Sequence, residues 1–220
     1  MNTFKNIANL TVLLVLSAGV VHAEDSNFGV GIKAGTLGLG LEGRWDALPI
    51  VDFRIGLNSY DLDADDRYSG IEYDGSLDLD TVYLTANINF PLSPFRLTAG
   101  IFSNGNELNM TSAVAGDFTI GGDFYTGAEV GTLSTKTSFD GTAPYVGIGL
   151  DFELFGKAGL NFDVGVLLQG EPIVTLDASG TLANDALFQE SLATEQQDLT
   201  DDLKHFKAYP VLSLAFVYNF

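Results

Sequence analysis

The chain has 220 residues, no cysteine, two histidines and a formal net charge of −19. Without cysteine, disulfides and metal–thiolate or thiol chemistry are excluded. An excess of 29 acidic over 10 basic residues excludes nucleic acid as an expected partner, because phosphate needs cations opposite it.

Lys5 is the only charge before Glu24, and 7–21 is apolar apart from a few small polar residues. Val21-His22-Ala23 then offers a small-residue cleavage site. This is the pattern of a secretory signal peptide over 1–23, so the mature domain is expected at 24–220, exported to the periplasm. The alternative is a membrane-anchoring helix, but the stretch is short for a span of about 20 residues and runs straight into acid. No later segment is a continuous apolar span of about 18 residues.

Eight stretches alternate with period 2: 28–35, 36–46, 50–62, 77–90, 95–106, 141–154, 157–170 and 207–220. One face of each is large and apolar, as in Leu37, Leu39, Leu41, Trp45 of the second and Leu160, Phe162, Val164, Val166, Leu168 of the seventh. Any one of these could be a half-buried soluble strand. Eight in series behind a signal peptide predict an all-β fold, an eight-stranded antiparallel transmembrane barrel in an outer membrane. The connections near 47–49, 91–94 and 155–156 are short, and those at 63–76, 107–140 and 171–206 are long. Membrane barrels have short periplasmic turns and long extracellular loops, so both termini are expected in the periplasm. The first outer hairpin, around Gly35, must be very tight. Trp45, Phe90, Phe95, Phe155 and Phe220 fall near the periplasmic ends, where an aromatic girdle belongs.

The third long connection holds a helix candidate. Asn184 or Asp185 can cap it, and Phe188, Leu192, Leu199, Leu203 and Phe206 share one face. The opposite face is acidic, which disfavours a membrane-surface helix. A helix packed across the barrel rim is the expectation, and a partner-binding helix the alternative. In the last strand Phe216, Tyr218 and Phe220 form a large apolar row ending in an aromatic terminal residue. That row is the expected signal to the barrel-insertion machinery.

The carriers of a family resemblance are Val30-Gly-Ile-Lys-Ala-Gly-Thr-Leu-Gly-Leu-Gly-Leu-Glu42, Pro91-Leu-Ser-Pro-Phe-Arg-Leu-Thr-Ala-Gly100, Ala143-Pro-Tyr-Val-Gly-Ile-Gly149 and Tyr218-Asn-Phe220. With these the mature chain resembles the small eight-stranded outer-membrane barrels of the opacity-protein-like surface-antigen group, architectural cousins of the OmpX and OmpA-type barrels. The resemblance implies architecture and location. It implies no activity, because one fold hosts many functions.

By alternation Lys33, Arg44, Arg54 and Arg96 point into the lumen, with Glu42, Asp46, Asp52, Asp151, Glu153 and Asp163. An eight-stranded barrel is only wide enough for side chains to fill, and buried charges must be paired. A salt-bridge plug is the favoured consequence and a narrow ion path the alternative. Gly29, Gly31, Gly38, Gly40, Gly147 and Gly149 recur with period 2, unlike a phosphate-binding loop, and read as small inward residues that let the barrel close.

Imidazole-dependent hydrolysis is left without a residue in the wall, because His22 is lost with the signal peptide and His205 lies in the helical connection. No enzyme activity is expected. Asp61, Asp63, Asp65, Ser69 and Glu72 match the ligand spacing of a calcium loop, but Asp66 stands where the sharp turn wants glycine. Loosely bound Ca²⁺ or Mg²⁺ at the acidic loops fits better than a dedicated cofactor. The expected partners are outer-membrane lipid and lipopolysaccharide, the insertion machinery and an unidentified surface ligand. The expected work is structural or done by the loops: envelope integrity, surface recognition or adhesion. The alternative is a narrow passive porin-like channel for ions or small solutes.

Overall fold

A strand with one apolar and one polar face leaves its backbone groups to be satisfied by neighbours, and in lipid only a closed sheet satisfies all of them. In the computed structural model, which describes residues 27–68, 71–113 and 116–220, that closure is complete. The expected signal peptide at 1–23 and the side chains of 65–73 and 155 lie outside the described residues.

In chain order the elements are β1 (Phe28–Gly35), β2 (Gly38–Leu48), β3 (Val51–Tyr68), β4 (Ile71–Asn89) and β5 (Phe95–Asn104). Then come β6 (Glu107–Ala113), β7 (Asp117–Ile120), β8 (Asp123–Thr126), the single-turn α1 (Gly127–Val130) and β9 (Thr132–Ser138). Last are β10 (Thr142–Phe155), β11 (Ala158–Leu168), β12 (Ile173–Ala178), α2 (Ala186–Leu203) and β13 (Ala208–Asn219). The wall runs β1-β2-β3-β4-β5-β10-β11-β13 and closes where β1 pairs antiparallel with β13, Ile32 opposite Phe216. These are the eight expected strands.

Their outward rows are exposed and apolar: Ile55, Val82, Leu84, Ile148, Val164, Leu212 and Phe216 among them. At the periplasmic end Trp45 stacks between Phe28 and Phe53, with ring centroids 6.4 and 5.9 Å away. The band of lipid-facing side chains over a polar interior is that of an outer-membrane-type barrel. Among the described residues no helix is long and apolar enough to cross a membrane.

The outer connections depart from expectation. The first hairpin turns on two residues, Thr36 and Leu37, between the paired Gly35 and Gly38. β2 therefore starts two residues later than expected, and Leu37 is not lipid-facing. It folds inward and is only 4% exposed, because a residue at the turn tip over a barrel mouth can bury itself in the lumen. The segment 63–76, expected as a loop, is the upper part of one long hairpin, with Asp63 opposite Ser76 and Ala64 opposite Gly75.

That hairpin carries an outer sheet. β4 pairs with β5 inside the wall and, higher up, with β6, after which β9 and β12 follow. Its inner face is apolar, with Leu62, Leu77, Leu108, Val174 and Leu176; its outer face carries Asp61, Asp63, Asp74, Asp78 and Glu107. Over the inner face at the β12 end, Ile120, Val130, Leu176, Phe188 and Leu192 form a small core. Helix α2 is capped by Asp185, whose side chain accepts from the Leu187 and Phe188 amides. It packs on β12 and β7 of this outer unit. The Gln196 side chain also accepts from the Leu176 amide, covering part of the free edge of β12.

Candidate functional site: a two-tiered lumen

The inward rows meet in two tiers. The lower, periplasmic tier is charged. Arg54 sits at its centre, 2% exposed. Its Nε donates to Asp52 Oδ1 at 2.9 Å, Nη2 to Asp151 Oδ2 at 2.9 Å and Nη1 to Glu42 Oε1 at 3.4 Å. Arg96 donates from Nε to the other Asp151 oxygen at 2.9 Å and from Nη1 to Asn87 and Thr98. Its Nη2 lies 2.7 Å from Asp163 Oδ1. Asp52 also accepts from the amides of Asn87 and Asn89, each at 2.7 Å.

Lys33 stands 3.5 Å from Glu42 and 4.0 Å from Asp163, with its ammonium 4.9 Å from the Tyr83 ring centroid. Arg44 pairs with Asp46 at 2.8 Å and reaches Asp52 at 3.7 Å and Asp151 at 3.8 Å. Four cations and five carboxylates from six wall strands thus interleave, which is what lets such charges leave water. Nine of the ten charges expected inside are brought together. Glu153 is not: it is exposed near the β10–β11 turn, opposite Gly159, at the last regular pair before a register shift. At that rim it meets water and needs no cation.

The upper tier is aromatic. Tyr83, Phe102 and Tyr145, on the neighbouring strands β4, β5 and β10, stack side by side along the inner wall, with centroids 4.8 Å apart for the first pair and 5.2 Å for the second. Leu37, Ala143, Leu167 and Val211 fill the rest of the layer. Tyr83 joins the tiers, because its hydroxyl donates to Glu42 Oε2 at 2.7 Å. This tier was not expected from sequence, although Tyr83, Phe102 and Tyr145 each occupy the inward parity of their strands.

Glycines make room for these large groups. A Cβ on Gly56 would fall 2.5 Å from Tyr83 Cζ, and one on Gly149 would fall 2.6 Å from Arg96 Cζ. Gly147 meets the Tyr145 hydroxyl at 2.5 Å, and Gly165 comes closer still. The space left at the junction of the tiers is about 20 Å³, little more than one water needs.

The other expected residues lie elsewhere. Asp61 and Asp63 project from the outer face of β3, where the chain runs on as strand to Tyr68 and does not curl as a calcium loop must. A strand sets alternate side chains roughly 6.8 Å apart, too far to share an ion held at about 2.3–2.6 Å. The side chains of Asp65 and Glu72, and all of Ser69, are outside the described residues. Among the described residues no group of three or more His, Cys, Asp or Glu side chains is placed to hold a metal. His205 is exposed in the turn after α2. Phe216 and Tyr218 stand in the outward row of β13, and Tyr218 packs edge-on against Phe220 at 5.6 Å.

No protein-family model matches the chain, and no curated protein does. Several solved structures match over nearly their full length, two of them CarO proteins. CarO of Acinetobacter baumannii is 24% identical, with 87% of this chain and 97% of that chain covered and a TM-score of 0.58. CarO2 of the same organism is 24% identical, with 89% and 99% covered and a TM-score of 0.62. At that identity the likeness is one of fold, and the fold is the closed eight-stranded antiparallel barrel of outer-membrane proteins.

Proposed function

We propose that this is an outer-membrane protein with a sealed lumen, acting structurally or through its outer sheet in envelope integrity, surface recognition or adhesion. The observation that carries the reading is the double closure of the lumen. A paired-charge tier and an aromatic tier leave about 20 Å³ between them, whereas a conducting path needs continuous water. The acidic outer face would meet lipopolysaccharide. Asp61 stands opposite Asp78, and Asp78 opposite Glu107, so like charges adjoin on one face and loosely held Ca²⁺ or Mg²⁺ would relieve them. No reaction is part of the proposal.

The test is planar-bilayer conductance of the purified, heat-modifiable barrel. A silent bilayer with verified folded protein is expected. A second reading, a narrow passive channel, is favoured by a periplasmic vestibule of about 460 Å³ lined by Arg44, Asp46 and Asn89. Steady single-channel steps that change with Arg54→Ala or Asp163→Asn would put that reading first. For the cations, chelation is expected to raise protease sensitivity of the outer sheet; unchanged sensitivity removes their support. A changed lipid A acylation pattern in cells expressing the protein would bring catalysis back.

A further inference from the structure

The barrel wall has a notch. β1 is eight residues long, below the about 9–11 that a tilted strand uses to cross the hydrocarbon core. Its hairpin with β2 turns low in the wall, well below the end of β3. The last pairing of β2 with β3 is Leu39 opposite Ser59, and β3 continues to Tyr68 with no partner on that side. On the other flank β13 also starts higher, and its first residues hold the turn through Thr36 bonds to Pro210 and Leu212.

A groove of about 360 Å³ runs over the lowered turn, within the size range of ligand pockets. Its outer end is Ala34 and Leu39, cross-strand partners on the lipid face. Its inner end is Tyr60, Leu77 and Leu79, on the inward face of the tall hairpin. Tyr209 closes the far side, with its hydroxyl used up in donating to the Thr36 carbonyl at 2.6 Å. Below, buried Leu37 shuts the way to the lumen. The groove thus has apolar walls and a floor, and it is continuous with the bilayer-facing surface, where Ile32 is 63% and Leu39 64% exposed.

We propose that this groove takes one acyl chain of a lipid from the surrounding outer leaflet, led over the β1–β2 turn onto the inner face of the tall hairpin. Hydrocarbon is the chemistry that fits. The walls offer methyl and aromatic groups, and the route begins where lipid tails already lie. The proposal is independent of whether the lumen conducts.

The test is photolabelling of the whole barrel in vesicles of phosphatidylcholine bearing a diazirine at the acyl terminus, with the adducts mapped by mass spectrometry. Adducts on Tyr60, Leu77 or Leu79 are expected beside those on belt residues such as Ile55 and Val82. Ala34→Trp fills the lipid-side mouth from an exposed position and is expected to lower the inner adducts at least fivefold with belt labelling unchanged. Leu77→Asn gives the same test from the inner side. Adducts confined to the belt in the unmodified protein overturn the proposal, and this arm needs no variant to fold. Inner adducts that survive Ala34→Trp also overturn it, because the chain then arrives by another route.

Discussion

Arg54 and Asp151 are 2.9 Å apart, although β3 and β10 are separated in the wall by β4 and β5. The contact therefore crosses the lumen. It fixes opposite sides of the barrel to each other, which backbone pairing between neighbours cannot do. Arg54→Ala leaves Asp52, Glu42 and Asp151 short of a cation inside the barrel. The expected loss is about 3–5 kcal/mol, read from urea unfolding in detergent or lipid. Loss below about 1 kcal/mol would mean that Arg44, Lys33 and Arg96 take over the pairing.

Large inward residues are seated against glycines, Tyr145 against two of them, Gly147 and Gly165. Gly165→Ala drives a methyl into the Tyr145 ring and is expected to destabilise by about 1–3 kcal/mol. Tyr145→Leu removes the ring, so the double variant is expected to recover part of that loss. Additive losses in the double-mutant cycle would show that the two positions do not compete for the same space.

Asp185 holds two first-turn amides of α2, at 3.0 and 3.1 Å. Asp185→Ala is expected to weaken the helix by about 1 kcal/mol, a factor of about 5 in its opening equilibrium. Amide exchange in α2 reads this directly. Exchange in the barrel strands stays as it was, because the helix packs on the outer sheet.

On that sheet the Lys136 ammonium, 2.6 Å from Glu107, holds the Glu107 carboxyl below the usual carboxylate range. A carboxyl lowered in the folded state stabilises above its unfolded value of about 4.3 and loses that contribution as pH falls through the folded value. Both groups are partly exposed, so the pair contributes under about 1 kcal/mol. Lys136→Ala is expected to reduce exchange protection of β6 and β9 slightly at neutral pH. The difference from the unmodified protein disappears once Glu107 is protonated. A difference that persists in acid would assign the effect to packing of the lysine stem.

The wall was legible in sequence because lipid on one side and a narrow lumen on the other impose a strict period of two. Nine lumen charges followed from parity alone. Parity also put Tyr83, Phe102 and Tyr145 inside, but aromatics are common on both faces of membrane strands, and only the glycines against Tyr83 and Tyr145 mark the bulky side. The outer sheet was hidden by its acid. Asp61, Asp63, Asp65 and Asp66 look like a solvated loop, yet Leu62 and Ala64 between them continue the alternation. Gly121-Gly122, both with positive φ, is a two-residue hairpin signal that could have located β7 and β8. Leu37 had no such mark: its direction depends on where the first turn falls.

Because β4 pairs first with β5 and then with β6, the outer unit grows from the barrel wall itself. Its last strand, β12, comes from a different connection, after the chain has crossed the membrane twice more through β10 and β11. The β9–β12 pairing therefore ties two neighbouring surface segments into one body, and it can form only once both have been delivered outside. Without the segment that follows β11, β9 keeps an unpaired edge.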